Sequence, residues 1–502
     1  MTDWDLLIDE AAIASVVPEQ YAHYRRPLRG ALTVFLEGLP EEHQTAVLVD
    51  QAMLAPTATI SERLARLARS CPALHKLGQT LARDRRLLPE LRLQLQKLES
   101  LPPSTSLKDI RKILVRELGR LDRLGVVLEP PALAEASVAV VIPFRHQESG
   151  ACEGVFKILK PGIEERLEEE LSLLERVGSY LDEECEELGI PRLDYRESFE
   201  GLAERLRHEV RLDLEQRHLA KAHTAYAGEP QIHVPALRDF CSLRVTAMER
   251  VYGDKVTDHR FDDAADRRWC AELVVTALLA RPILSTSDDA LFHGDPHAGN
   301  LLLTPERRLA ILDWSLATTL SEKKRVAFVQ IVLGAVTLDA GRIAGALAAL
   351  SEHQGGDAPD VMPTIEMSLK RMRTGRLPGL LWLTGLLDNA VQVPGIHFSG
   401  ELLLLRKMLH ALEGVIADIG ADRTSIDAVL LSEFFTHLAR EWPHRWLAMP
   451  GSRAFPTRLS NADLVGVMMN LPLTATRFWL DRGLDALQES VASWYGSRSN
   501  AS

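Results

Sequence analysis

The chain has 502 residues, 46% of them hydrophobic, which is enough to bury the cores of two or three domains. Its net charge of −12 argues against nucleic-acid binding driven by bulk electrostatics, so we expect no nucleic-acid partner. The five cysteines are scattered and form no CxxC pair, which argues against a disulfide framework or a zinc site.

The N-terminal region, residues 1–70, is predicted to form amphipathic helices. It begins with acidic residues where a signal peptide would be basic, and no run in the chain reaches the ~18 apolar residues of a membrane-spanning helix. We therefore expect a cytoplasmic protein, with contact to a lipid or membrane surface left open. Basic residues near 63–92 are one candidate for that contact, and a solvated helix face is the plainer alternative.

The remaining elements change from helical to β-rich and back. Residues 71–125 carry apolar residues at helical spacing, with Pro89 starting a helix. Strands are predicted at 137–144, 154–159 and 243–250, with RHQESGACE as a hairpin loop, and helices at 162–188 and 199–223. After Phe261 the chain is predicted to be nearly all helical, apart from strands at 301–303 and 309–312.

This order, a small β-containing lobe ahead of a larger helical lobe, is that of a bilobal protein-kinase-like α+β fold with an N-terminal helical extension. The predicted segments are a helical region (1–70), an extension (71–125), an N-lobe (126–250), a C-lobe (251–425) and a helical tail (426–502).

The segment HGDPHAGN-LLLTPERRLAI-LDWS carries the strongest functional signal. Asp295 stands five residues before Asn300, and Asp313 follows thirteen residues later, after an apolar run. Kinases use this spacing to place a catalytic carboxylate and two magnesium ligands around nucleotide phosphates. Asp295 is the candidate catalytic residue, and Asn300 and Asp313 are the candidate metal ligands. His293 and His297 are interpreted as turn-stabilising residues, because magnesium disfavours imidazole. The alternative is a histidine-containing turn before an ordinary buried strand.

A nucleotide site of this kind also needs a cation on an N-lobe strand. In GVFKILK, Lys157 would share one face of the strand with Val155 and Leu159. A carboxylate should hold that lysine, and the predicted helix at 199–223 offers Glu209, Asp213 and Glu215. Glu209 and Glu215 lie about 120° apart around its axis, whereas Asp213 shares a face with Glu209. The alternative for Lys157 is a surface lysine on an edge strand.

No glycine-rich loop is present to cover the phosphates. Residues 132–139, ALAEASVA, stand in its place, so Ala134, Ala136 and Ser137 are the candidate phosphate-loop residues. Glu135 would repel phosphate unless its carboxylate points away.

Taken together, these residues resemble the UbiB/AarF family of atypical protein-kinase-like proteins, over about residues 74–420. The most distinguishing mark is Lys76-Leu77-Gly78-Gln79, which resembles the KxGQ segment of the family's extension. The resemblance implies that Lys76 and Gln79 point from one helix face into the nucleotide cleft and gate it. It also implies that Glu215 pairs with Lys157 and that Glu209 pairs with Lys76. The segment MERV, with Glu249 and Val251, would be the adenine hinge.

Five positions depart from the family pattern. Arg211 stands where an aspartate is usual, Glu135 interrupts the alanine loop, Trp314-Ser315 replaces Phe-Gly, and Ala298 replaces a proline. Arg211 and Glu135 put the efficiency of nucleotide use in doubt, while the metal ligands are intact.

The resemblance implies an ATP- and magnesium-binding protein, an ATPase or small-molecule phosphotransferase that supports isoprenoid-quinone or other lipid metabolism. Two alternatives stay open: an aminoglycoside- or choline-kinase-like phosphotransferase, and a nucleotide-binding scaffold with little catalysis. A protein partner or a second copy of the chain also stays open as an interaction.

Overall fold

The computed structural model describes residues 4, 8–82, 87–99, 105–146, 153–192, 194–351, 359–372, 379–421, 426–470 and 472. The chain divides into two units. Unit 1 comprises Met1–Ala225, Val234–Tyr252 and Asp313–Leu316, and unit 2 comprises Tyr226–His233, Gly253–Leu312 and Ala317–Ser502. The predicted helical region, extension and N-lobe thus share unit 1, and the predicted C-lobe and tail share unit 2. Two segments are the main exceptions: Tyr226–His233, predicted for the N-lobe, belongs to unit 2, and Asp313–Leu316, predicted for the C-lobe, belongs to unit 1. The predicted hairpin loop falls largely on residues 147–152, outside the described residues.

Helices account for most of unit 1. They are α1 (Glu10–Val16), α2 (Arg25–Gly38), α3 (Glu41–Ala52), α4 (Ile60–Ser70), α5 (Pro72–Leu81), α6 (Pro89–Gln96), α7 (Leu107–Leu118), α8 (Ile163–Glu183), α9 (Cys185–Leu188), α10 (Tyr195–Arg207) and α11 (Leu212–Tyr226), with 3-10 turns at Glu19–Tyr24, Lys97–Glu99 and His208–Val210. Local sequence explains several of their ends. Thr59 and Glu62 form a capping box on α4, Pro89 begins α6 as predicted, and Gly119 ends α7 with φ at 80°.

The strands are β1 (Val126–Leu128), β2 (Ala134–Glu135), β3 (Ala139–His146), β4 (Glu153–Leu159), β5 (Ile232–His233), β6 (Val245–Glu249), β7 (Asp254–Lys255), β8 (Asp289–His293), β9 (Leu301–Leu303), β10 (Leu309–Ile311) and β11 (Ala317–Ser321). In unit 1, β1, β3, β4 and β6 form an antiparallel sheet in that order, and β2 pairs with β3. The three N-lobe strands predicted from the sequence are therefore confirmed, to within a few residues at their ends.

The alternation predicted for β4 is also confirmed. Phe156 and Ile158 are fully buried in a core shared with α7, whereas Lys157 and Leu159 lie on the opposite face of the strand. This alternation directs the lysine away from the apolar core of the sheet and towards α11.

The prediction of one continuous helix over 199–223 is wrong. The helices α10 and α11 are separate, joined by a 3-10 turn and by Arg211, whose φ of −92° and ψ of 70° are not helical. Leu212 is fully buried in a core that it shares with side chains of the β-sheet. This tertiary burial overrides a local sequence that favours helix. Glu209 lies in the 3-10 turn and Glu215 in α11, and the predicted angle of 120° between them around one helix does not apply.

Unit 2 is mainly helical. Its helices are α12 (Ala264–Val275), α13 (Arg281–Ile283), α14 (Glu322–Val336), α15 (Ala340–Leu350), α16 (Met362–Met372), α17 (Leu380–Val391), α18 (Gly400–Ile419) and α19 (Ile426–Arg445), with a π-helical turn at Thr276–Ala280 and a 3-10 turn at Ala298–Asn300. Residues 461–470 are also helical. No helix within the described residues has both the length and the apolar character needed to cross a bilayer.

Two small sheets in unit 2 carry the segment richest in functional signals. One has the order β5-β10-β9-β7, with β5 and β10 parallel, and the other pairs β8 with β11 antiparallel. The predicted strands at 301–303 and 309–312 are confirmed as β9 and β10. The expectation of no other strand after Phe261 is wrong, because β8 and β11 pair with each other, with β9 and β10 between them in the sequence. Neither strand has a local residue pattern that identifies it.

Candidate nucleotide-binding and catalytic site

Lys157 is held by a carboxylate on α11, as predicted. Its Nζ donates hydrogen bonds to both carboxylate oxygens of Glu215 at 2.8 Å, and the Glu215 side chain is only 2% exposed. The same Nζ lies 3.3 Å from Oδ2 of Asp313. Within unit 1, one ammonium group is therefore shared between two carboxylates.

Asp313 has a backbone conformation that is uncommon for a residue other than glycine. Its φ is 52°, in the left-handed region, where residues at functional sites are often held by their surroundings. Ser315 donates its backbone N–H to Oδ1 of Asp313 at 3.2 Å, and Trp314 is fully buried. Trp314 is thus a buried anchor beside the carboxylate, and the hydrogen bond at residue 315 uses a backbone N–H that the family's glycine would also supply.

The charges of this cluster are set by burial and by mutual attraction. Burial lowers the pKa of Lys157, but the Asp313 and Glu215 carboxylates outweigh that effect and raise it above its usual value. Desolvation raises the pKa of Asp313, yet Lys157 and the hydrogen bond from Ser315 bring it well below its usual range. Burial raises the pKa of Glu215 to about 7, against the opposing attraction of Lys157. Of the two carboxylates, Asp313 therefore keeps its negative charge down to the lower pH.

His218 is a positioning residue that the sequence analysis did not identify. It stands three residues after Glu215 on α11, so the two side chains share a helix face. Its Nδ1 lies 3.1 Å from the backbone oxygen of Trp314. One turn of α11 therefore fixes both Lys157 and the backbone that follows Asp313. The three-residue spacing from Glu215 was the only signal in the sequence.

The extension contributes a second ion pair. Nζ of Lys76 lies 2.9 Å from Oε1 of Glu209, so the predicted pairing is confirmed. Gln79, however, donates its side-chain amide to the backbone oxygen of Leu98 at 3.1 Å. This bond joins α5 to the 3-10 turn at Lys97–Glu99, which follows α6. The prediction that Lys76 and Gln79 point together into a cleft is therefore not supported for Gln79, which holds the extension together.

His75 gives the extension a pH-dependent stability. It is buried, and its Nε2 lies 3.0 Å from the backbone oxygen of Leu98. Burial lowers its pKa from 6.5 to about 4, so the unfolded chain binds a proton in this range and the folded chain does not. We expect the free energy of unfolding to fall as the pH drops from 6.5 towards 4, by up to about 1.4 kcal/mol per pH unit.

Urea midpoints measured at pH 7.5 and pH 5 would test this expectation. His75→Gln should lose less stability between the two pH values than the wild type, whereas the exposed control His410→Gln should match the wild type. An unchanged pH dependence in His75→Gln would show that His75 is not the group responsible.

The alanine-rich segment forms a tight hairpin between β2 and β3. Ala136 donates its backbone N–H to the oxygen of Ala139 at 2.8 Å. Ala134 and Ala136 are exposed and Ser137 is buried. The two alanines are thus available at the surface, as a phosphate loop requires, while Ser137 lies inside the turn.

Glu135 does not face open solvent at this hairpin. Its carboxylate is buried, lies 2.8 Å from Nζ of Lys160, and accepts the backbone N–H of Thr105 at 2.9 Å. Lys160 neutralises the charge that was expected to repel phosphate. The departure at Glu135 is therefore compensated within unit 1.

The predicted hinge follows β6. Glu249 donates its backbone N–H to the backbone oxygen of Ala236 at 2.8 Å, and its carboxylate accepts the backbone N–H of Ala236 at 3.2 Å. Within the described residues, the backbone N–H of Val251 makes no hydrogen bond. Val251 rather than Glu249 is accordingly the residue with a backbone donor to offer an adenine ring.

In unit 2, the catalytic-loop motif follows β8, and His293 anchors it. Nδ1 of His293 accepts the backbone N–H of Asp295 at 3.3 Å, and Nε2 lies 2.9 Å from the oxygen of Leu312. His297 accepts the N–H of Gly299 on Nδ1 at 3.1 Å and caps the 3-10 turn. The prediction that both histidines stabilise the turn is confirmed.

Asn300 is oriented by the same loop. Its side-chain amide nitrogen donates to the backbone oxygen of Asp295 at 3.1 Å, which leaves its amide oxygen directed elsewhere. Leu312, the residue before Asp313, donates its N–H to the backbone oxygen of Asn300 at 2.8 Å. Within unit 2, this bond ties Asn300 to the residue that precedes Asp313 in the chain.

Lys407 is a second residue missed by sequence analysis. It lies on α18, and its Nζ is 3.4 Å from Oδ1 of Asp295, whose side chain is 15% exposed. No spacing relates Lys407 to Asp295, because the two residues stand more than a hundred residues apart in the chain. Only the packing of unit 2 brings the two side chains together.

An antiparallel sheet carrying a lysine held by a helical glutamate, with a His-anchored loop bearing Asp and Asn in a larger helical unit, defines the bilobal protein-kinase-like fold. The family model for the ABC1 atypical kinase-like domain matches residues 97–347, which include Lys157, Asp295 and Asp313. The chain belongs to this family, the UbiB/AarF group indicated by its sequence. Lys76 and Gln79 precede the matched residues.

Several curated proteins are similar over about half of the chain. A protein named "Probable protein kinase UbiB" from Actinobacillus pleuropneumoniae is 29% identical, over 47% of this chain and 43% of its own. The Arabidopsis thaliana chloroplastic protein Activity of BC1 Complex Kinase 3 is 28% identical, over 53% and 37%. An uncharacterised chloroplastic aarF-domain protein kinase of the same plant is 30% identical, over 54% and 51%. This chain thus spans between 37% and 51% of these relatives' lengths.

A solved structure is also similar. The Mycobacterium tuberculosis protein Rv3197, in complex with erythromycin, aligns over 78% of this chain and 87% of its own, with 17% sequence identity and a TM-score of 0.48.

Proposed function

We propose that this protein binds ATP with magnesium and hydrolyses it or transfers its terminal phosphoryl group to a small molecule. The observation that carries the proposal is the Lys157–Glu215–Asp313 cluster in unit 1, with Nζ of Lys157 2.8 Å from Glu215 and 3.3 Å from Asp313. A strand lysine held by a helical glutamate, beside an aspartate able to bind magnesium, is the arrangement that kinases use to hold phosphate and metal.

The donor set suits both parts of the ligand. The amide oxygen of Asn300 and the carboxylate of Asp313 are hard oxygen ligands of the kind that Mg²⁺ prefers, and the metal would neutralise the charge of the phosphates. Lys157 would hold the α and β phosphates, supported by Glu215. The N–H of Val251 would donate to the adenine, and the exposed alanines at 134 and 136 would let the hairpin approach the phosphates.

Asp295 would orient or deprotonate the attacking hydroxyl or water. Within unit 2, Nζ of Lys407 lies 3.4 Å from Oδ1 of this carboxylate. The Lys76–Glu209 pair would hold the extension over the nucleotide and restrict access by large substrates.

We further propose that the acceptor belongs to isoprenoid-quinone or other lipid metabolism, on the strength of the UbiB name of a relative. Compensation of Glu135 by Lys160 removes one of the two features that favoured a scaffold with little catalysis. The other, Arg211, pairs with Asp213 at 2.8 Å on the exposed surface and touches none of the proposed ligands. Catalysis is therefore the better-supported alternative.

Thermal shift with ATP and MgCl₂ tests the proposal. Ligand at a hundred times its Kd should stabilise the wild type by about 2.7 kcal/mol. Asp313→Asn and Lys157→Ala should each show little or no shift relative to their own ligand-free states, because one removes a metal ligand and the other the phosphate cation.

Matched controls are Asp122→Asn and Lys112→Ala, which change exposed side chains of unit 1 and should keep the full shift. Absence of a shift in the folded wild type, or a shift that persists in both site variants, would overturn the proposal.

A further inference from the structure

A large apolar cavity lies within unit 2. Its volume is about 850 Å³, and helices α14, α17, α18 and α19 provide most of its wall. Almost all of the lining side chains are apolar, for example Val332, Leu333, Leu383, Leu387, Leu405 and Leu438. This volume falls in the range of small-molecule binding sites, which are likewise concave and mainly apolar.

The cavity is too large to be a packing defect. Protein interiors pack densely and contain few voids larger than a water molecule, and unfilled apolar volume lowers stability. Water would find few hydrogen-bond partners among these side chains, and apolar cavities without such partners stay dry. A hydrocarbon occupant would recover the lost contacts.

The cavity reaches the surface through an apolar rim. Val391, Leu403, Leu431 and Phe435 line the cavity and are also exposed, between 44% and 57% of their area. A long chain could therefore enter from outside while its other end stays in contact with water.

Three charged residues line the cavity, Asp388, Arg406 and Asp427, and Arg406 is the cation among them. Asp427 accepts the backbone N–H of Leu380 at 2.6 Å and so belongs to the start of α17. Arg406, half-exposed, contacts Asp388 through its Nε at 2.8 Å. Within the described part of the chain, Asp388 is the one ion-pair partner of Arg406, and the two terminal nitrogens of Arg406 donate no hydrogen bond. A guanidinium with those two nitrogens available suits a carboxylate.

We propose that this cavity binds a long-chain fatty acid, with the hydrocarbon chain between α14, α17 and α19 and the carboxylate on the terminal nitrogens of Arg406. None of the residues that line the cavity belongs to the Lys157 cluster or is Asp295, and the proposal does not depend on nucleotide binding.

The test uses the full chain and cis-parinaric acid, a polyene fatty acid that fluoresces in apolar surroundings. Wild type should bind the probe, and oleate should displace it. Val332→Phe and Leu387→Trp, which fill the cavity from two different helices, should each lower probe affinity at least tenfold. Arg406→Gln should weaken oleate by about tenfold, the loss of one charge-assisted contact of about 1.4 kcal/mol. Oleyl alcohol, with the same chain and a neutral head, should compete less well than oleate.

Matched controls make these changes elsewhere. Val115→Phe and Leu93→Trp enlarge exposed side chains of unit 1, and Arg120→Gln removes an exposed arginine that also pairs with an aspartate. All three should bind the probe as wild type does, and the cavity variants should keep the ATP-dependent thermal shift of the wild type. That shift reports separately on the proposed nucleotide site.

Three results would overturn the assignment. Failure of the folded wild type to bind the probe would mean that the cavity is closed, or filled by this chain or a second copy. Binding that survives both filling variants would place the fatty acid elsewhere. Equal competition by oleyl alcohol, with no effect of Arg406→Gln, would exclude recognition of a carboxylate.

Discussion

Asp295→Asn is expected to lower ATP turnover by about 10²–10⁴-fold, the usual contribution of a positioned general base, while ATP–Mg²⁺ binding is retained. The substitution removes a charge and keeps the shape of the side chain. The contacts that build the loop are made by the backbone of Asp295, which accepts from the Asn300 amide and donates to His293. The loop geometry should therefore survive, and the loss should appear in kcat rather than in KM.

Asp254→Asn is the matched control. That residue lies in β7 of the same unit, its side chain is 71% exposed, and turnover should not change. Wild-type turnover in Asp295→Asn would show that Asp295 is not the base. Equal loss of ATP binding and turnover would show instead that the carboxylate serves binding.

Lys157→Met is expected to destabilise the fold as well as to abolish the ATP-dependent shift. Removing one partner of a buried ion pair typically costs about 3–5 kcal/mol, because the other charge is left uncompensated. Here Glu215 and Asp313 would both lose their cation, and Glu215 is the more deeply buried of the two, at 2% exposed against 37%. Since burial already raises its pKa to about 7, a proton can neutralise it at low pH, so the destabilisation should be larger at pH 8 than at pH 6.

A double variant separates the two effects. Lys157→Met with Glu215→Gln replaces both buried charges by neutral side chains, and we expect it to recover most of the lost stability without recovering ATP binding. Urea midpoints and thermal shifts of the single and double variants measure the two effects. The surface variant Arg120→Met, whose partner Asp122 is exposed, should leave the midpoint unchanged. A double variant no more stable than Lys157→Met would contradict the account of Glu215.

The parts of this site that follow from sequence are those with a local pattern or a motif spacing. The alternation of GVFKILK places Lys157 on the face opposite Phe156, because the period of a strand is fixed by its backbone. The pairings of Lys157 and Lys76 with their glutamates follow from the family resemblance and are confirmed by the contacts. The roles of the two motif histidines follow from the poor affinity of magnesium for imidazole.

The parts that do not follow depend on contacts distant in sequence. The break between α10 and α11 comes from burial of Leu212 in a tertiary core, which no local propensity records. Lys407 meets Asp295 only through the packing of α18. The apolar cavity is likewise a property of several helices together, since each of them has an ordinary amphipathic or apolar sequence.

Glu135 is an intermediate case. Its position in the alanine-rich segment was evident, but the direction of its carboxylate was not, since that depends on Lys160, 25 residues further along the chain, and on the backbone of Thr105. Judged from the sequence, Glu135 would repel phosphate, but in the folded protein Lys160 neutralises its charge.

The pair between Glu135 and Lys160 also limits how this lineage can change. Loss of Lys160 alone would leave a buried carboxylate beside the phosphate hairpin, and loss of Glu135 alone would leave a partly buried ammonium group and an unbonded Thr105 N–H. Each single step is costly, whereas replacing both residues together is not. The two positions should therefore be inherited as a unit, and a descendant with alanine restored at 135 would be released from keeping a lysine at 160.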